Sequence, residues 1–494
     1  MSTEAYLTRA SFVRRVAGLG GGLLLGGGSV APACGALERL GAADGAVAGP
    51  KIHEFVTRPD LVPPYVTVVH DNGHASGGLL FLAPSSGPGR RGNLIVDNAG
   101  QPVWFHPTTP VTAMNFRTAI YRGKPVLTWW EGSTEQGLGK GTHVILDDSY
   151  QLVARVQAGA GRPSDLHEFL LTPHGTALVT AWELVDADLT SVGGPSDGQV
   201  VGGIVQELEL PSGRVLFEWK SLDHVPIQES HAGVGAPFDY FHVNSIELDS
   251  DGNLLVSARN TWAIYKIDRG SGEVIWRLGG KKSDFAMGPG TGFAWQHDAR
   301  HHGTGDRLVS LFDDGSAPQV QPQSKGMVIA LDTKNMRATL HRKYTHHPSV
   351  LAHALGSTQV LPNGNVLVGF GTAPYFTEYS ADGKVLFDAK LPPGGQNYRA
   401  LRLPWTGKPA LQPEIAARRH TSGHTVFASW NGATEVASWL FETGPTAAKL
   451  HHAATKPRKT FETSLIVPPS ARHAKVTALD RHGKPLRTSK TLAL

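Results

Sequence analysis

The feature that most constrains this chain is a repeat that occurs six times. Each copy contains a short apolar strand, a gap, and two strands joined by a turn. In the clearest copy, Gly252 to Val256 is followed by Ala263 to Asp268, a glycine turn and Val274 to Trp276. Repeats of about forty to sixty residues built from short strands are typical of a β-propeller. We therefore predict an all-β fold with a six-bladed β-propeller, whose inner strands surround one central channel.

The composition fits this fold and excludes several other classes of protein. The 58 glycines suit a protein with many tight turns. The formal net charge of +4 is too small, and the charged residues too evenly spread, to indicate a nucleic-acid-binding protein. The single cysteine, Cys34, cannot form an intrachain disulfide or a multi-cysteine metal site. Nucleotide-binding and serine-hydrolase motifs are not evident in the sequence, so we expect no cofactor.

The first 50 residues resemble an export signal followed by a linker. Arg9, Arg14 and Arg15 precede a weakly apolar, glycine-rich run, and sites with small residues follow it. The Arg14-Arg15 pair keeps twin-arginine export open, whereas Cys34 is a poorer candidate for lipid attachment because Pro32 fits a lipobox badly. No later segment is long and apolar enough to span a bilayer. We expect a secreted or cell-surface protein, with a disordered N-terminal tail as the alternative.

The rhythm of the sequence changes near residue 405, and this change separates two domains. Residues 51–409 contain the six repeats, and a proline-containing linker ends near residue 413. Residues 414–494 alternate apolar and polar residues, with turns such as Asn431-Gly432 about every eight to twelve residues. We predict a small β-sandwich of fibronectin type III character there, with a structural or carbohydrate-contacting role.

Polar residues recur where the inner strand of each repeat begins. In chain order they are Asn115 with Arg117, His167, His242, His297, His353, and Asn397 with Arg399. A lone histidine is usually a surface residue or a satisfied core residue. Recurrence in successive blades changes this interpretation, because the repeat symmetry directs these positions to one channel. We therefore predict that the four histidines form a functional cluster.

Such a cluster supports either metal binding or covalent and acid–base catalysis. Histidine pairs spaced four residues apart would align two metal ligands only on a helix, and none of these stretches has a helical pattern. The doublets His301-His302 and His346-His347 are expected to be solvated loop residues. We predict no metal site and favour histidine catalysis, because neutral histidine is a nucleophile and a proton carrier near neutral pH.

Cationic and phenolic side chains near the same positions would complete such a site. Arginine or lysine would stabilise the oxygens of a transferred anionic group. The candidates for this role are Arg117, Arg300, Lys325 and Arg399. Tyr240 and Tyr398 are candidate phenolic acids, with simple packing as the alternative.

Several segments together resemble one known family. They are DYFHVNS (239–245), SARNT (257–261), IWRLGGK (275–281), QHDAR (296–300), LFDDG (311–315), PNGN (362–365) and ASWNGAT (428–434). This set is similar to the arylsulfotransferase (arylsulfate sulfotransferase-like) propeller family, in its actinobacterial and fungal branch. The resemblance implies a six-bladed propeller that transfers a sulfuryl group between phenols. It also implies a sulfohistidine intermediate and no need for a nucleotide sulfate donor.

The resemblance also assigns roles to individual residues. By motif, His242 and His297 are active-site residues, and His167 matches a histidine-plus-acid motif of the family. His353 is assigned as the later histidine that becomes sulfated. Asn244, in the first motif, is expected to contact the substrate.

The chain departs from the family pattern after Gly315. Ser316-Ala317-Pro318 stands where the family pattern has an arginine, so Lys325 or Arg300 would have to supply the positive charge. This departure keeps two alternatives open. One is a polysaccharide lyase or glycoside-cleaving propeller that acts on an anionic glycan. The other is a propeller that binds a glycan or an anion without catalysis.

Overall fold

The computed structural model describes residues 51–303 and 307–494, and strands dominate them. The helical segments in these residues are short: Ser221–His224 is α-helical, and Thr190–Val192 and Ile227–Glu229 are 3-10 helices. The all-β prediction is therefore confirmed. No helix in the described part of the chain is long and apolar enough to cross a membrane. The export signal and Cys34 lie outside the described residues.

Most strands form six groups of four, which we number as blades 1 to 6. Blade 1 consists of Leu79–Leu82, Gly92–Val96, Pro102–Pro107 and the late strand Leu401–Leu403. Blade 2 consists of Thr112–Tyr121, Lys124–Glu135, Leu138–Asp147 and Leu152–Val156, and blade 3 of Ser164–Leu171, Thr176–Ala187, Gly198–Glu209 and Val215–Lys220. Blade 4 consists of Val243–Leu248, Leu254–Ala258, Ala263–Ile267 and Val274–Gly279. Blade 5 consists of His297–His302, Leu308–Asp313, Lys325–Asp332 and Arg337–Tyr344, and blade 6 of Ser357–Val360, Val366–Gly369, Tyr375–Tyr379 and Val385–Lys390.

The innermost strands of the six groups contact one another in a cycle. The first strands of blades 2 to 6 follow in chain order, and Leu401–Leu403 contacts both the first strand of blade 6 and that of blade 2. Within each group, neighbouring strands pair antiparallel. This is the arrangement of propeller blades around a central channel, and we interpret the six groups in this way.

Segments from both ends of the propeller region close the ring. Leu401–Leu403 supplies the innermost strand of blade 1 and pairs with Leu79–Leu82. Thr67–Asp71 pairs with the outermost strand of blade 6, Val385–Lys390. Two further short pairings join Pro84–Ser86 to Gln396–Asn397 and Ala286–Met287 to Arg337–Tyr344.

Apolar side chains fill the space between successive blades. In blade 4, Leu254 and Val256 pack with Trp219 of blade 3, whereas Leu255 packs with Val309 of blade 5. Both faces of this strand are buried, which explains why its sequence is continuously apolar rather than alternating. Complete burial of one such side chain stabilises the fold by about 1.5–3 kcal/mol.

Two antiparallel sheets follow the propeller. One contains Glu414–His420, Gly423–Ser429 and Thr463–Val467; the other contains Ser438–Thr446, Lys449–Pro457, His473–Leu479, Pro485–Thr488 and Leu492–Ala493. Their shared core includes Val426, Trp439, Phe441 and Val476. A core shared between two antiparallel sheets is the construction of a β-sandwich.

The Asn431-Gly432 turn attaches these C-terminal sheets to the propeller. Asn431 Oδ1 accepts a hydrogen bond from the backbone N–H of Phe105, and its Nδ2 donates to the oxygen of the same residue, both at 3.0 Å. Tyr150 donates its hydroxyl to the Gly432 oxygen at 2.7 Å. A Cβ atom at position 432 would lie 2.4 Å from the Tyr150 ring, so only glycine allows this close approach.

Candidate active site

Three of the four predicted histidines meet where the inner strands of blades 3 to 5 begin. The ring centroids of His167 and His242 are 4.9 Å apart, and those of His167 and His297 are 5.9 Å apart. Tyr398, which precedes the innermost strand of blade 1, joins them with its ring centroid 5.1 Å from that of His297. Residues from four separate chain segments therefore converge on one place.

These side chains converge because the inner strands of blades 2 to 5 are irregular. The pairing register shifts between Met114 and Arg117, between Ser164 and Phe169, between Val243 and Ser245, and between His297 and Arg300. A bulge of this kind bends a strand and re-aims its side chains. Asn115, His242 and Asp298, in or beside these bulges, have positive φ angles of 56°, 57° and 59°. As a result, sequence neighbours such as His167 and Glu168 both reach the site.

His297 has the most clearly defined hydrogen-bonding state of the three. Its Nδ1 lies 2.7 Å from the backbone oxygen of Gly356. Because a carbonyl oxygen can only accept, Nδ1 carries the proton and the lone pair of the neutral ring is on Nε2. This Nε2 is buried and has no hydrogen-bond partner among the described residues. Burial and the positive charge of Arg399 hold the pKa of His297 well below its usual value, so the ring is neutral at pH 7.

The other two histidines each pair with an aspartate through Nδ1. His167 donates to Asp165 Oδ2 at 2.6 Å, and His242 donates to Asp239 Oδ2. Such a carboxylate fixes the tautomer and the orientation of the ring and stabilises its protonated form. Burial raises the pKa of Asp165, but His167 and the donating N–H of Gly139 outweigh burial and lower this pKa to about 2. Both pairs leave Nε2 of the ring for proton transfer.

Three arginines surround two carboxylates next to the histidines. Glu168 contacts Arg300 directly and lies 3.4 Å from Arg399 and 3.8 Å from Arg117. Asp298 lies 2.7 Å from Arg300 and 3.3 Å from Arg399. Burial raises the pKa of Glu168, but the three guanidinium groups outweigh burial and hold the pKa well below its usual value. The group therefore carries one positive charge in excess, which favours an anion beside it.

Tyr398 and Arg399 connect this charged group to the histidines. The Tyr398 hydroxyl donates to the backbone oxygen of His167 at 2.9 Å. Arg399 donates to the same oxygen at 3.2 Å and to the backbone oxygen of Asn244 at 3.0 Å. Asn244 in turn donates to the oxygen of Gln296 at 2.7 Å. Arg399 and Asn244, both predicted to contact substrate, therefore brace the backbone that carries the histidines.

A small cavity opens beside the two histidine–aspartate pairs. It has a volume of about 10 Å³, and its apolar walls include Leu138, Trp182, Val201 and Val243. The indole N–H of Trp182 donates to the Gly139 oxygen at 2.9 Å, which fixes that wall. Apolar walls with two convergent polar pairs match the chemistry of an aromatic ring that carries an oxygen substituent. The space itself has room for about one water molecule, so such a ring would enter only if the lining side chains moved.

His353 lies outside the cluster of the other three histidines. It is exposed, and its Nδ1 is 3.0 Å from Ser316 Oγ. It precedes the inner strand of blade 6 by several residues, and Gly356 takes the place beside His297. A Cβ atom at position 356 would lie 2.4 Å from the Phe312 ring, so a histidine cannot occupy that place.

Lys325 and Tyr240 also contact other partners. Lys325 lies 2.8 Å from Asp313 Oδ2, and Tyr240 is buried in the apolar core that blades 3 and 4 share.

A cation that we did not predict, Arg259, lies nearer to the histidines. Its backbone N–H donates to the His242 oxygen at 2.9 Å, and its guanidinium lies 4.8 Å from the centre of a tryptophan ring and donates to the His353 oxygen at 3.1 Å.

One group of described residues has the geometry to hold a metal ion, and it contains none of the predicted histidines. Ligand atoms of Glu247, Asp249 and His301 lie within 4.8 Å of one another. However, the Lys266 ammonium is 3.0 Å from Asp249 Oδ2, and His301 Nδ1 contacts the other oxygen of Asp249. Both oxygens of Asp249 and Nδ1 of His301 therefore already contact protein groups, although His301 Nε2 has no hydrogen-bond partner among the described residues, and we assign no metal to this group.

The histidine doublets correct one of our sequence expectations. His301 and His302 are not loop residues but lie in the inner strand of blade 5, and His302 Nε2 is 2.7 Å from Ser310 Oγ. His346 is buried, with its Nε2 3.4 Å from Asp388. The expectation of loop residues is wrong for His301 and His302. His346 lies outside the strands as expected, but it is buried rather than solvated.

Sequence reasoning named Tyr398 as a candidate phenolic acid but did not assign the acidic residues to the site. The available signal was spacing, since Asp165 and Asp239 precede their histidine partners by two and three residues. On a regular strand, neighbouring side chains point to opposite faces, which argued against shared sites. The bulges remove that objection. The sequence could not show that Tyr398, which precedes the strand that closes blade 1 from the far end of the chain, lies beside His297.

Comparison with solved structures returns only remote likenesses. A protein of unknown function from Bacteroides caccae is 13% identical, with 66% of this chain and 98% of that chain covered and a TM-score of 0.42. Virginiamycin B lyase from Staphylococcus aureus is 10% identical, with 74% and 96% covered and a TM-score of 0.32. Likenesses at these scores carry no argument about this chain. A comparison with curated proteins gave no match.

The comparison with family profiles, in contrast, identifies the family of this chain. The sequence profile described as arylsulfotransferase (ASST) matches residues 117–391, which is more than half of the 494 residues. The matched segment contains all three clustered histidines, both aspartates paired with them, and Glu168 with two of its three arginines. On this evidence, the chain belongs to the arylsulfotransferase family.

Proposed function

We propose that the protein transfers a sulfuryl group from an aryl sulfate to a phenol, and that Nε2 of His297 carries the group between them. The observation that carries this proposal is the hydrogen bond from His297 Nδ1 to the Gly356 oxygen. It leaves the lone pair on a buried Nε2, and a neutral imidazole in that state is a nucleophile. Family membership supports the class of reaction, an arylsulfotransferase-like transfer.

In the first half-reaction, Nε2 of His297 attacks the sulfur atom of the donor. The N–S bond forms, the S–O bond to the aryl ring breaks, and its electron pair stays on the leaving phenolate oxygen. Protonated His242, stabilised by Asp239, gives that oxygen its Nε2 proton. The Gly356 oxygen keeps its hydrogen bond to Nδ1 of the sulfated ring, whose positive charge strengthens this bond.

In the second half-reaction, an acceptor phenol replaces the first one beside the histidine–aspartate pairs. Neutral His242 takes the hydroxyl proton while the phenol oxygen attacks sulfur. The new O–S bond forms, the N–S bond breaks, and its electron pair returns to Nε2 of His297. Atoms and electrons balance without a further reactant.

We assign the proton transfer to His242 because it is the more accessible of the two paired histidines. The exposed fraction of its side chain is 12%, against 3% for His167. Burial lowers the pKa of His167 in spite of its carboxylate partner. His167 is thus the neutral ring between His242 and His297, where it orients the transferred group.

Positive charge near the histidines would stabilise the sulfuryl oxygens. Arg300 and Arg399 already donate hydrogen bonds to carboxylates and to the backbone. The excess positive charge of the arginine–carboxylate group would therefore stabilise the sulfuryl oxygens at a distance and not by direct hydrogen bonds. Arg259 is our candidate for the cation that the sequence lacks after Gly315. Its backbone N–H bonds to the segment that carries His242, and its guanidinium reaches the oxygen of the exposed His353.

The groups that a glycan-cleaving enzyme would use have other roles here. Glu168 is held ionised by three guanidinium groups, so it cannot act as the general acid that glycoside hydrolysis needs. Burial raises the pKa of Tyr398 well above its usual value, and its hydroxyl donates to a backbone oxygen. Tyr398 therefore does not serve as the base of a lyase. No observation favours either glycan reaction over sulfuryl transfer.

The proposal is tested with p-nitrophenyl sulfate as donor and phenol as acceptor. We expect phenol-dependent release of p-nitrophenol by the wild type, and no release by His297→Ala. Incubation with donor alone, followed by peptide mass spectrometry at alkaline pH, should find one added SO3 group on the peptide that contains His297. A group found on another histidine would overturn the assignment of the carrier, and phenol-independent release would overturn transfer itself.

A further inference from the structure

A cleft between blade 1 and the C-terminal sheets has the chemistry of a second ligand site. It has a volume of about 240 Å³ and is lined on one side by residues from 97 to 103 and on the other by residues from 434 to 436 and from 458 to 460. None of the residues that line it belongs to the histidine cluster. The proposed reaction therefore leaves this cleft without a role.

Arg458 is the first of two groups that point to a ligand. Its backbone N–H donates to the Ala437 oxygen at 2.9 Å, and its Nη1 donates to the Ala433 oxygen at 2.6 Å. These bonds fix the guanidinium at the cleft. No carboxylate of the described residues lies within ion-pair distance of it, and burial lowers the pKa of Arg458 more than the charge of Asp97 raises it. A partly buried cation without a paired anion is costly. An anionic group of a ligand would compensate for that cost, and exposed Lys459 would add a second cation.

Asp97 is the second group, and it narrows the class of ligand. Its Oδ1 accepts the backbone N–H groups of Ala99 and Gln101, both at 2.9 Å, and its carboxylate shares the cleft with Arg458. A simple anion would be repelled by this carboxylate. A molecule that brings hydroxyl donors for Asp97 and an anion for Arg458 would satisfy both.

The remaining lining fits the same kind of molecule. Gln101, Thr434 and Thr460 offer an amide and two hydroxyls, which can exchange hydrogen bonds with a polyol. Leu79, Val103 and Val436 offer an apolar strip on which C–H groups of a ring can pack. A sugar ring carries both hydroxyl groups and an apolar C–H face, so it matches both parts of this lining.

We propose that this cleft binds an acidic sugar, with its carboxylate or sulfate group at Arg458 and Lys459 and its hydroxyls at Asp97 and Gln101. Such a site would hold the protein on an acidic glycan through its C-terminal sheets. It is independent of sulfuryl transfer, because the two sites share no residue.

Isothermal titration calorimetry on the full chain, at low salt and pH 7, tests this proposal. The probes are glucuronic acid and glucose 6-sulfate, with glucose and inorganic sulfate as comparisons. We expect the two acidic sugars to bind at least tenfold more tightly than either comparison. Arg458→Gln should weaken the binding of both by at least tenfold, and Asp97→Asn should weaken it severalfold.

The controls separate a lost site from a lost fold. Lys456→Gln changes an exposed lysine close in sequence that does not line the cleft, and it should leave binding unchanged. Lys459→Gln should weaken binding without altering the midpoint of thermal unfolding. Release of p-nitrophenol should be the same in all four variants. Equal binding of inorganic sulfate (an adventitious ion only), equal binding of glucose, or unchanged binding in Arg458→Gln would each overturn the proposal.

Discussion

The inner strands of blades 2 to 5 and the inner strand of blade 6 follow different rules. Each of the first four shifts register near its start and contributes side chains to the site. Ser357–Val360 of blade 6 pairs with its neighbour without a shift and contributes only the backbone oxygen of Gly356. Functional side chains in this ring are therefore placed by local bulges and not by repeat symmetry alone.

The bulges have an energetic cost that the regular strand avoids. Left-handed backbone costs roughly 1–2 kcal/mol per residue for most side chains. Two of the three positive-φ residues beside the bulges are Asn115 and Asp298, which belong to the residue types that tolerate this conformation best. Strain that persists at such positions is characteristic of sites where the surrounding structure determines the geometry.

The largest expected effect is a difference in kcat between a variant of His297, in the bulged inner strand of blade 5, and a variant of His353, which precedes the regular inner strand of blade 6. His297→Ala should lower kcat for sulfuryl transfer by roughly 10⁴-fold, as loss of a nucleophile does in other covalent enzymes. His353→Ala should change kcat by no more than about threefold, because transfer through a buried nucleophile does not need it. Steady-state release of p-nitrophenol measures both, with circular dichroism to check the fold. A larger loss in His353→Ala than in His297→Ala would reverse our assignment of the two blades.

This difference between the inner strands also shows how much of the fold and of the site could be predicted from the sequence. The repeat predicted strands, blades and the shared location of His167, His242 and His297, because periodic apolar strands and equivalent positions are visible in one dimension. A bulge is not visible in this way, since it depends on the register between two strands. The same limit hid the pairing of His297 with Gly356, a carbonyl 59 residues away in sequence. It also hid the closing strand Leu401–Leu403, whose partner lies at the start of the propeller.

The next largest effect is on stability, when Glu168 of the arginine–carboxylate group is replaced. Glu168→Gln would leave one buried and two half-buried arginines facing one carboxylate. We expect the free energy of unfolding to fall by about 3–5 kcal/mol, as when one partner of a buried ion pair is removed. Glu209→Gln, which breaks an exposed pair with Arg214 in the same blade, should cost much less, because solvent screens an exposed pair. Urea unfolding measures both, and equal losses would mean that the buried group is not the stronger one.

Gly356→Ala tests the contribution of blade 6 to the site, which is the Gly356 oxygen that accepts a hydrogen bond from His297 Nδ1. The added Cβ would meet the Phe312 ring at 2.4 Å on a backbone with φ 91°. Overpacking and left-handed strain together should destabilise the protein by about 2–4 kcal/mol. Displacement of the carbonyl should also lower kcat, because His297 Nδ1 loses its acceptor.

Gly364→Ala is the matched control in the same blade. Its φ is 86°, but the nearest atom to an added Cβ is 3.9 Å away. It should therefore cost only the strain of roughly 1–2 kcal/mol and leave kcat unchanged. Equal effects of the two alanines on kcat would show that the carbonyl of Gly356 does not orient His297.

The smallest effect is a pH dependence that originates in the bulge of blade 3. The pKa of Asp165 is lowered to about 2 in the folded protein, from a usual value near 3.8. A carboxyl whose pKa is lowered by folding stabilises the protein above its unfolded pKa, and this contribution is lost as the pH falls toward the folded value. The shift corresponds to a contribution on the order of 2 kcal/mol. Between pH 5 and pH 2, Asp165→Asn should therefore lose less stability than the wild type, whereas the exposed-site variant Asp197→Asn should follow the wild type. Urea unfolding across this pH range measures the difference, and parallel curves for wild type and Asp165→Asn would show that His167 and the Gly139 N–H do not stabilise this carboxylate.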